Sequence, residues 1–99
     1  MTPRWSARAA GQLLDAIAYL EDERPGTGRA LRDAVEDLVE LLTRFPRAFP
    51  LLPEAPGDEV RRALLPRWGY WLIFELRGDG ELVLLAMWHS QRRPGGWQE

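Results

Sequence analysis

Two different periods of apolar and polar positions run along this chain, and the change between them divides it in two. From Ala7 to Glu23, the residues Ala10, Leu13, Leu14, Ile17 and Leu20 recur at the three- and four-residue spacing of a helical face. Ser6 precedes them at the N-cap position, where a side-chain oxygen satisfies a free backbone N–H. Arg24-Pro25-Gly26 stops this helix, because proline cannot continue it and glycine permits the turn. Thr27 is the expected cap of a second helix, whose stripe runs Leu31, Val35, Leu38, Leu42 and Phe45 until Pro46. Two amphipathic helices joined by so short a turn predict an antiparallel hairpin. Ahead of them, residues 3–6 predict a short strand with Trp5 as its apolar anchor.

Residues 46–58 carry Pro46, Pro50, Pro53, Pro56 and Gly57, which predicts an ordered loop without regular structure. After it the period becomes two. Val60 to Leu65, Trp68 to Leu76 and Glu81 to His89 read as strands, with Arg77-Gly78-Asp79-Gly80 as a hairpin turn. The last two strands are apolar on both faces and are therefore expected to be central. Strict alternation along the third puts Leu82, Leu84, Ala86 and Trp88 on one face and Val83, Leu85, Met87 and His89 on the other. The element order β-α-α-β-β-β segregates helices from strands, so the predicted class is α+β. It comprises a short N-terminal strand, an antiparallel helical hairpin and a three-stranded antiparallel meander. The helices should cover one face of an antiparallel sheet and leave the other partly open, with arginines at its rim. A length of 99 residues makes this one domain, residues 1–99.

Composition narrows the chemistry. There is no cysteine and one histidine, His89, which excludes disulfides, thiolate metal sites and any site needing two imidazoles. All thirteen basic residues are arginine, each a planar and permanently charged fork, and fifteen acids leave the net charge at −2. The charge is uneven. Residues 12–40 hold eight acids and three arginines, net −5, while residues 60–97 hold six arginines and three acids, net +3. Such asymmetry points to two faces or two partners, and overall acidity argues against broad nucleic-acid binding. No secretion signal or membrane-length apolar run is recognisable, so a cytoplasmic location is expected, with no membrane partner.

Candidate chemistry concentrates late in the chain. In the strand pair Arg61-Arg62 only one member can share a given face, and Arg92-Arg93 follows the last strand. Paired arginines are either solvated or form an anion clamp. His89 is either a strand-end residue making one hydrogen bond or a general acid, since histidine titrates near neutral pH. No serine has a base and an orienting partner, so a nucleophile triad is not supported. Gly95-Gly96 lacks the strand–turn–helix context of a phosphate loop, and no metal-ligand spacing exists. Trp5, Trp68, Trp71 and Trp88 fall in predicted strands and fill core; Trp97 either anchors the tail or stacks on a partner.

Trp5-Ser6 followed by Ala9, Leu13, Ile17 and Tyr19-Leu20, then Pro25, then Leu31, Leu38, Leu42 and Phe45-Pro46, then Val60-Arg61 and Tyr70, form a familiar succession. The most specific piece is His89-Ser90-Gln91-Arg92-Arg93-Pro94-Gly95-Gly96-Trp97, similar to a His-x-x-Arg-Arg-Pro-Gly-Tyr-Trp ending. Together they resemble the RelE/ParE superfamily of type II toxin–antitoxin toxins, the ParE branch most, over nearly the whole chain. The resemblance implies a small toxin held in a hetero-oligomer by a cognate antitoxin, whose disordered segment folds along the helical hairpin and sheet. It also implies DNA gyrase as the target for ParE-like members, or the ribosome and mRNA for RelE-like endonucleases that work without metal. RelE-type cleavage leans on lysines, which this chain lacks; Gly96 replaces a tyrosine; and the net charge is negative. These departures favour a non-enzymatic inhibitor with no cofactor, in which Arg62, Arg67, Arg92, Arg93 and Trp97 contact target or antitoxin. In the endonuclease alternative His89 is the acid, and Arg61 and Arg92 clamp the phosphate. A toxin that only binds its antitoxin is the third possibility.

Overall fold

Ser6 starts the first helix as its position predicts: its hydroxyl accepts from the Ala9 N–H at 3.0 Å, and α1 runs Ala7–Glu23. The computed structural model describes residues 2–53, 55 and 59–98, so the Pro56-Gly57 part of the predicted loop lies outside the described residues. The second helix, α2, spans Thr27–Arg44. Thr27 is not its cap. Gly26 holds that place in the left-handed region, at φ 92°, a backbone conformation that only glycine adopts without strain. The Thr27 hydroxyl turns back to the Leu20 and Arg24 carbonyls at the end of α1. Glu21 of α1 supplies the missing acceptor, its carboxylate taking the N–H groups of Gly26 and Gly28. A negative group there also meets the positive end of the α2 dipole. The hairpin closes tightly at Gly28, where a Cβ would stand 2.8 Å from the Ile17 carbonyl oxygen.

The core-facing sides follow from this approach. α1 buries Ala9 and Ala16 and half-buries Leu13, Ile17 and Leu20, whereas Leu14 turns outward at 65% exposure. α2 buries Leu31, Val35 and Leu42, and Phe45, the last member of the predicted stripe, is exposed. A short 3-10 turn, Pro46–Ala48, follows.

Strands β1 (Arg4–Trp5), β2 (Val60–Leu65), β3 (Tyr70–Leu76) and β4 (Leu82–His89) form one sheet in the order β1-β4-β3-β2. The meander β2-β3-β4 is antiparallel as expected. The sheet as a whole is mixed, because β1 pairs parallel to β4, Arg4 against Val83 and Trp5 against Leu84. A parallel neighbour requires a long crossover, and the helical hairpin begins that connection. Trp68 lies outside the strands: Leu65 to Gly69 turns on itself, and β3 opens at Tyr70.

One irregularity in β4 reorders its faces. Ile73 pairs with Ala86 but Phe74 pairs with Leu84, so Leu85 is an extra residue, a β-bulge. Strict alternation therefore fails there. Leu82 and Leu84 pack under the helices, and so does Met87; Leu85, Ala86 and Trp88 face the other way. The predicted grouping of Ala86 and Trp88 with Leu82 is overturned, because the bulge adds one step to the two-residue period.

The sheet consequently has two unequal cores. Beneath the helices lie Phe74, Leu31, Leu42, Leu72, Leu82, Leu84 and Val35, all fully buried. On the opposite face Val60, Ile73, Ala86 and Trp97 make a smaller cluster, with Leu52, Trp71 and Trp88 half-buried against it. Where β1 ends, α1 protects the outer edge of β4: Ser6 donates to the Leu84 and Leu85 carbonyls, and Gln12 Oε1 accepts the Met87 N–H at 2.8 Å. The outer edge of β2 is partly covered by the loop, through Leu52 N–H to Val60 O and Arg62 N–H to Pro50 O. No helix among the described residues is long and apolar enough to cross a membrane.

Candidate functional site

Past the bulge the alternation resumes in shifted phase, so the end of β4 presents His89 toward α1. A cleft of about 490 Å³ opens there between α1 and the sheet, lined by Gln12, Asp15, Tyr19, Tyr70, His89 and Arg92 among others. The Tyr70 ring meets His89 edge-on, with centroids 5.0 Å apart. His89 Nδ1 accepts the Gln91 N–H at 3.2 Å, which leaves Nε2 to carry the proton of the neutral ring. Hydrogen bonding to the Glu23 carboxylate, reinforced by its charge, holds the Tyr19 phenol above the ordinary tyrosine range. The cleft thus gathers one imidazole, two phenols, a carboxylate and a guanidinium, a set able to bind and position a polar group.

Arg61 is not part of it. In register Arg61 pairs with Phe74, while His89 pairs with Tyr70 at the other end of β3, roughly 13 Å away at the rise of a strand. Its Nε donates to Glu59 at 2.9 Å and its Nη1 to the Phe49 carbonyl, with the side chain 13% exposed. Glu59 also pairs with Arg47 at 3.1 Å. Hydrogen bonding from Arg61, with that from Arg47 in support, holds the Glu59 carboxyl below its usual range. Arg61 ties the loop to β2, so of the expected grouping His89 and Arg92 line one cleft and Arg61 stands apart from them.

Arg62 points to the opposite face, as alternation requires. Its guanidinium lies 4.3 Å from the centre of the Trp71 ring, and its Nε is buried without a hydrogen-bond partner among the described residues. Arg92 lies likewise over Trp88, at 4.8 Å. A second cleft of about 170 Å³ sits between these two stacks, bordered by Leu52, Ser90, Pro94 and Trp97. Arg92 stands at the rim of both clefts. The chain beyond β4 folds back over this face: Trp88 Nε1 donates to the Arg93 carbonyl at 3.1 Å, and Gly96–Gln98 forms a 3-10 turn. Trp97 is buried in the small core and its carbonyl accepts from Arg8, so its ring anchors the tail. Arg93 itself is exposed on the tail. Arg67 is on the β2–β3 turn, 5.6 Å from the Trp68 ring, beside an apolar groove of about 380 Å³ formed with Leu38, Leu41 and Pro66.

Sequence reasoning missed Gln12, Asp15, Tyr19 and Tyr70 as site residues. The first three share one helical face by spacing, but only the tertiary fold sets that face beside His89. Among the described residues no three metal-ligating side chains come together.

With this geometry established, similarity to known proteins becomes informative. A family model described as the ParE toxin of type II toxin-antitoxin system, parDE, matches residues 4–94. Among solved structures, a chain of the "Chromosomal ParDE TA system from P. aeruginosa" aligns with a TM-score of 0.71 and 29% identity, over 92% of this chain and 97% of that chain. No curated protein matches.

Proposed function

This chain belongs to the ParE toxin family of type II toxin–antitoxin systems, and from that premise we propose that it arrests growth by binding DNA gyrase rather than by cutting RNA. The observation that carries this reading is the position of Arg61. A metal-independent nuclease needs its acid and its phosphate clamp around one bond. Here Arg61 is neutralised by Glu59 and set apart along the sheet from His89, which leaves Arg92 alone of the two clamp residues beside the imidazole. What the molecule presents instead is a fixed surface, Arg62 and Arg92 stacked on indoles with Arg93 beside them. That surface suits recognition of an acidic partner.

The antitoxin takes the other side. Leu38, Leu41, Pro66 and Trp68 line the apolar groove along α2, and Leu14, Tyr19 and Phe45 expose further apolar area on the hairpin. A folding-on-binding segment would bury this area.

Pulse labelling just after induction tests the target. DNA synthesis should stop before protein synthesis, and purified protein should block supercoiling by gyrase. Arg92→Ala combined with Arg93→Ala should abolish growth arrest while leaving the fold intact. Protein synthesis stopping first, with transcripts broken at ribosomal A-site positions, would replace this reading by the endonuclease one. Complex formation with antitoxin but no toxicity would leave a binding-only protein.

A further inference from the structure

The cleft between the Arg62 and Arg92 stacks is built like an anion site, and its lining indicates which anion. Among the described residues, Arg4, Arg32, Arg47, Arg61 and Arg77 are paired with carboxylates. Among the described residues, Arg62 and Arg92 have no carboxylate partner, and none that lines the cleft between them is an acid. The Arg62 and Arg92 guanidiniums each lie over an indole, and a fork held there by cation–π attraction still has N–H donors to offer. Arg62 borders the cleft, and its buried Nε is a donor left without a hydrogen-bond partner among the described residues.

We infer that this cleft is a docking site for a carboxylate side chain of an acidic peptide segment, clamped between the Arg62 and Arg92 forks. The inference deepens the binding reading above by naming what the partner offers. Three features favour a protein carboxylate over a nucleic-acid phosphate. The cleft is short, one clamp rather than a track of positive charge. Apart from Ser90, its remaining side chains are apolar or aromatic, Leu52, Ile73, Pro94 and Trp97 among them, which suits an acid flanked by hydrophobic side chains. The chain's net charge of −2, with its acidic hairpin, repels a polyanion at range but tolerates a local contact. Fixing both forks by stacking lowers the ordering cost of binding, and a planar fork matches a planar carboxylate in two hydrogen bonds.

The test uses the isolated chain and neither gyrase nor antitoxin, so its failure is separable from failure of the growth-arrest reading. The probes are a short peptide alternating leucine and glutamate, its glutamine counterpart, and a single-stranded oligothymidylate. The readout is the set of Arg Nε–H and Trp indole N–H resonances. The glutamate peptide should shift the Arg62, Arg92 and Trp88 signals, and the glutamine peptide should not. Arg92→Gln, on the exposed tail, should weaken binding about tenfold, the loss expected for one charge-assisted contact. Arg62→Lys should weaken it although charge is kept, because the fork and the stack are lost. Arg44→Gln, which removes a charge from the end of α2, should change nothing. Oligothymidylate shifting the same signals at equal or lower concentration would overturn the proposal in favour of phosphate. Unchanged affinity in a folded Arg92→Gln variant would overturn it outright, even if Arg62 variants fail to fold.

Discussion

A Cβ built on Gly96 would stand 2.7 Å from Trp88 Cζ2, closer than side chains pack. The indole occupies the space that a side chain at this position would need, and it is fixed there by its bond to the Arg93 carbonyl. Gly96→Ala should therefore displace the ring or lift the tail, at about 1–3 kcal/mol, the usual cost of overpacking. Denaturant unfolding, with tryptophan emission as a second probe, would measure it; an unchanged midpoint and spectrum would show that the tail yields freely. Glu59 gives a pH-dependent counterpart. Its hydrogen bond from Arg61 lowers its folded pKa, so the folded chain binds that proton less readily than the unfolded one. The resulting stabilisation is complete above the ordinary carboxylate range and is lost as pH falls through the lowered folded value. Glu59→Gln should lower stability near neutrality and flatten the acid limb of a stability–pH profile. An acid limb identical to that of the unaltered chain would assign the pH dependence to other carboxylates.

Among the elements, β4 depends on support that its own sequence does not announce. The bulge at Leu85 shifts everything after it by one face, and α1 secures the neighbouring edge through Ser6 and Gln12. Gln12→Ala leaves the Met87 N–H without its acceptor, which should destabilise the fold by about 1–3 kcal/mol. Urea midpoints of the two proteins would show this, and amide exchange at Met87 should accelerate first. The helices and turns were legible because their signals are local: Ser6 at the cap, Pro25-Gly26 at the stop, Gly80 (φ 84°) at the hairpin. The α2 cap was not, since its acceptor is Glu21, which reaches Gly26 and Gly28 only after the two helices have folded together. The bulge was not either, because a two-residue period carries no mark of an extra residue until a partner strand sets the register.

Across the whole molecule, the helical hairpin and the stacked arginines lie on opposite faces of one sheet, which separates the apolar groove from the cationic surface, as the proposed function requires. His89 belongs to the hairpin side, so His89→Ala should leave growth arrest intact if the protein acts through the arginine face; loss of arrest in a folded His89→Ala variant would return the imidazole to the mechanism. The sequence alone determined the element order, the extent of α1, the hairpin turn, the charge division and the family resemblance, all of which rest on neighbours a few residues apart or on a contiguous ending. The tertiary structure alone decided that β1 joins the sheet in parallel, that Arg61 is spent on Glu59 while Arg62 lies over Trp71, and that Trp97 is an anchor. Each of these depends on which distant side chain occupies the space opposite, and no period or spacing along a chain encodes that.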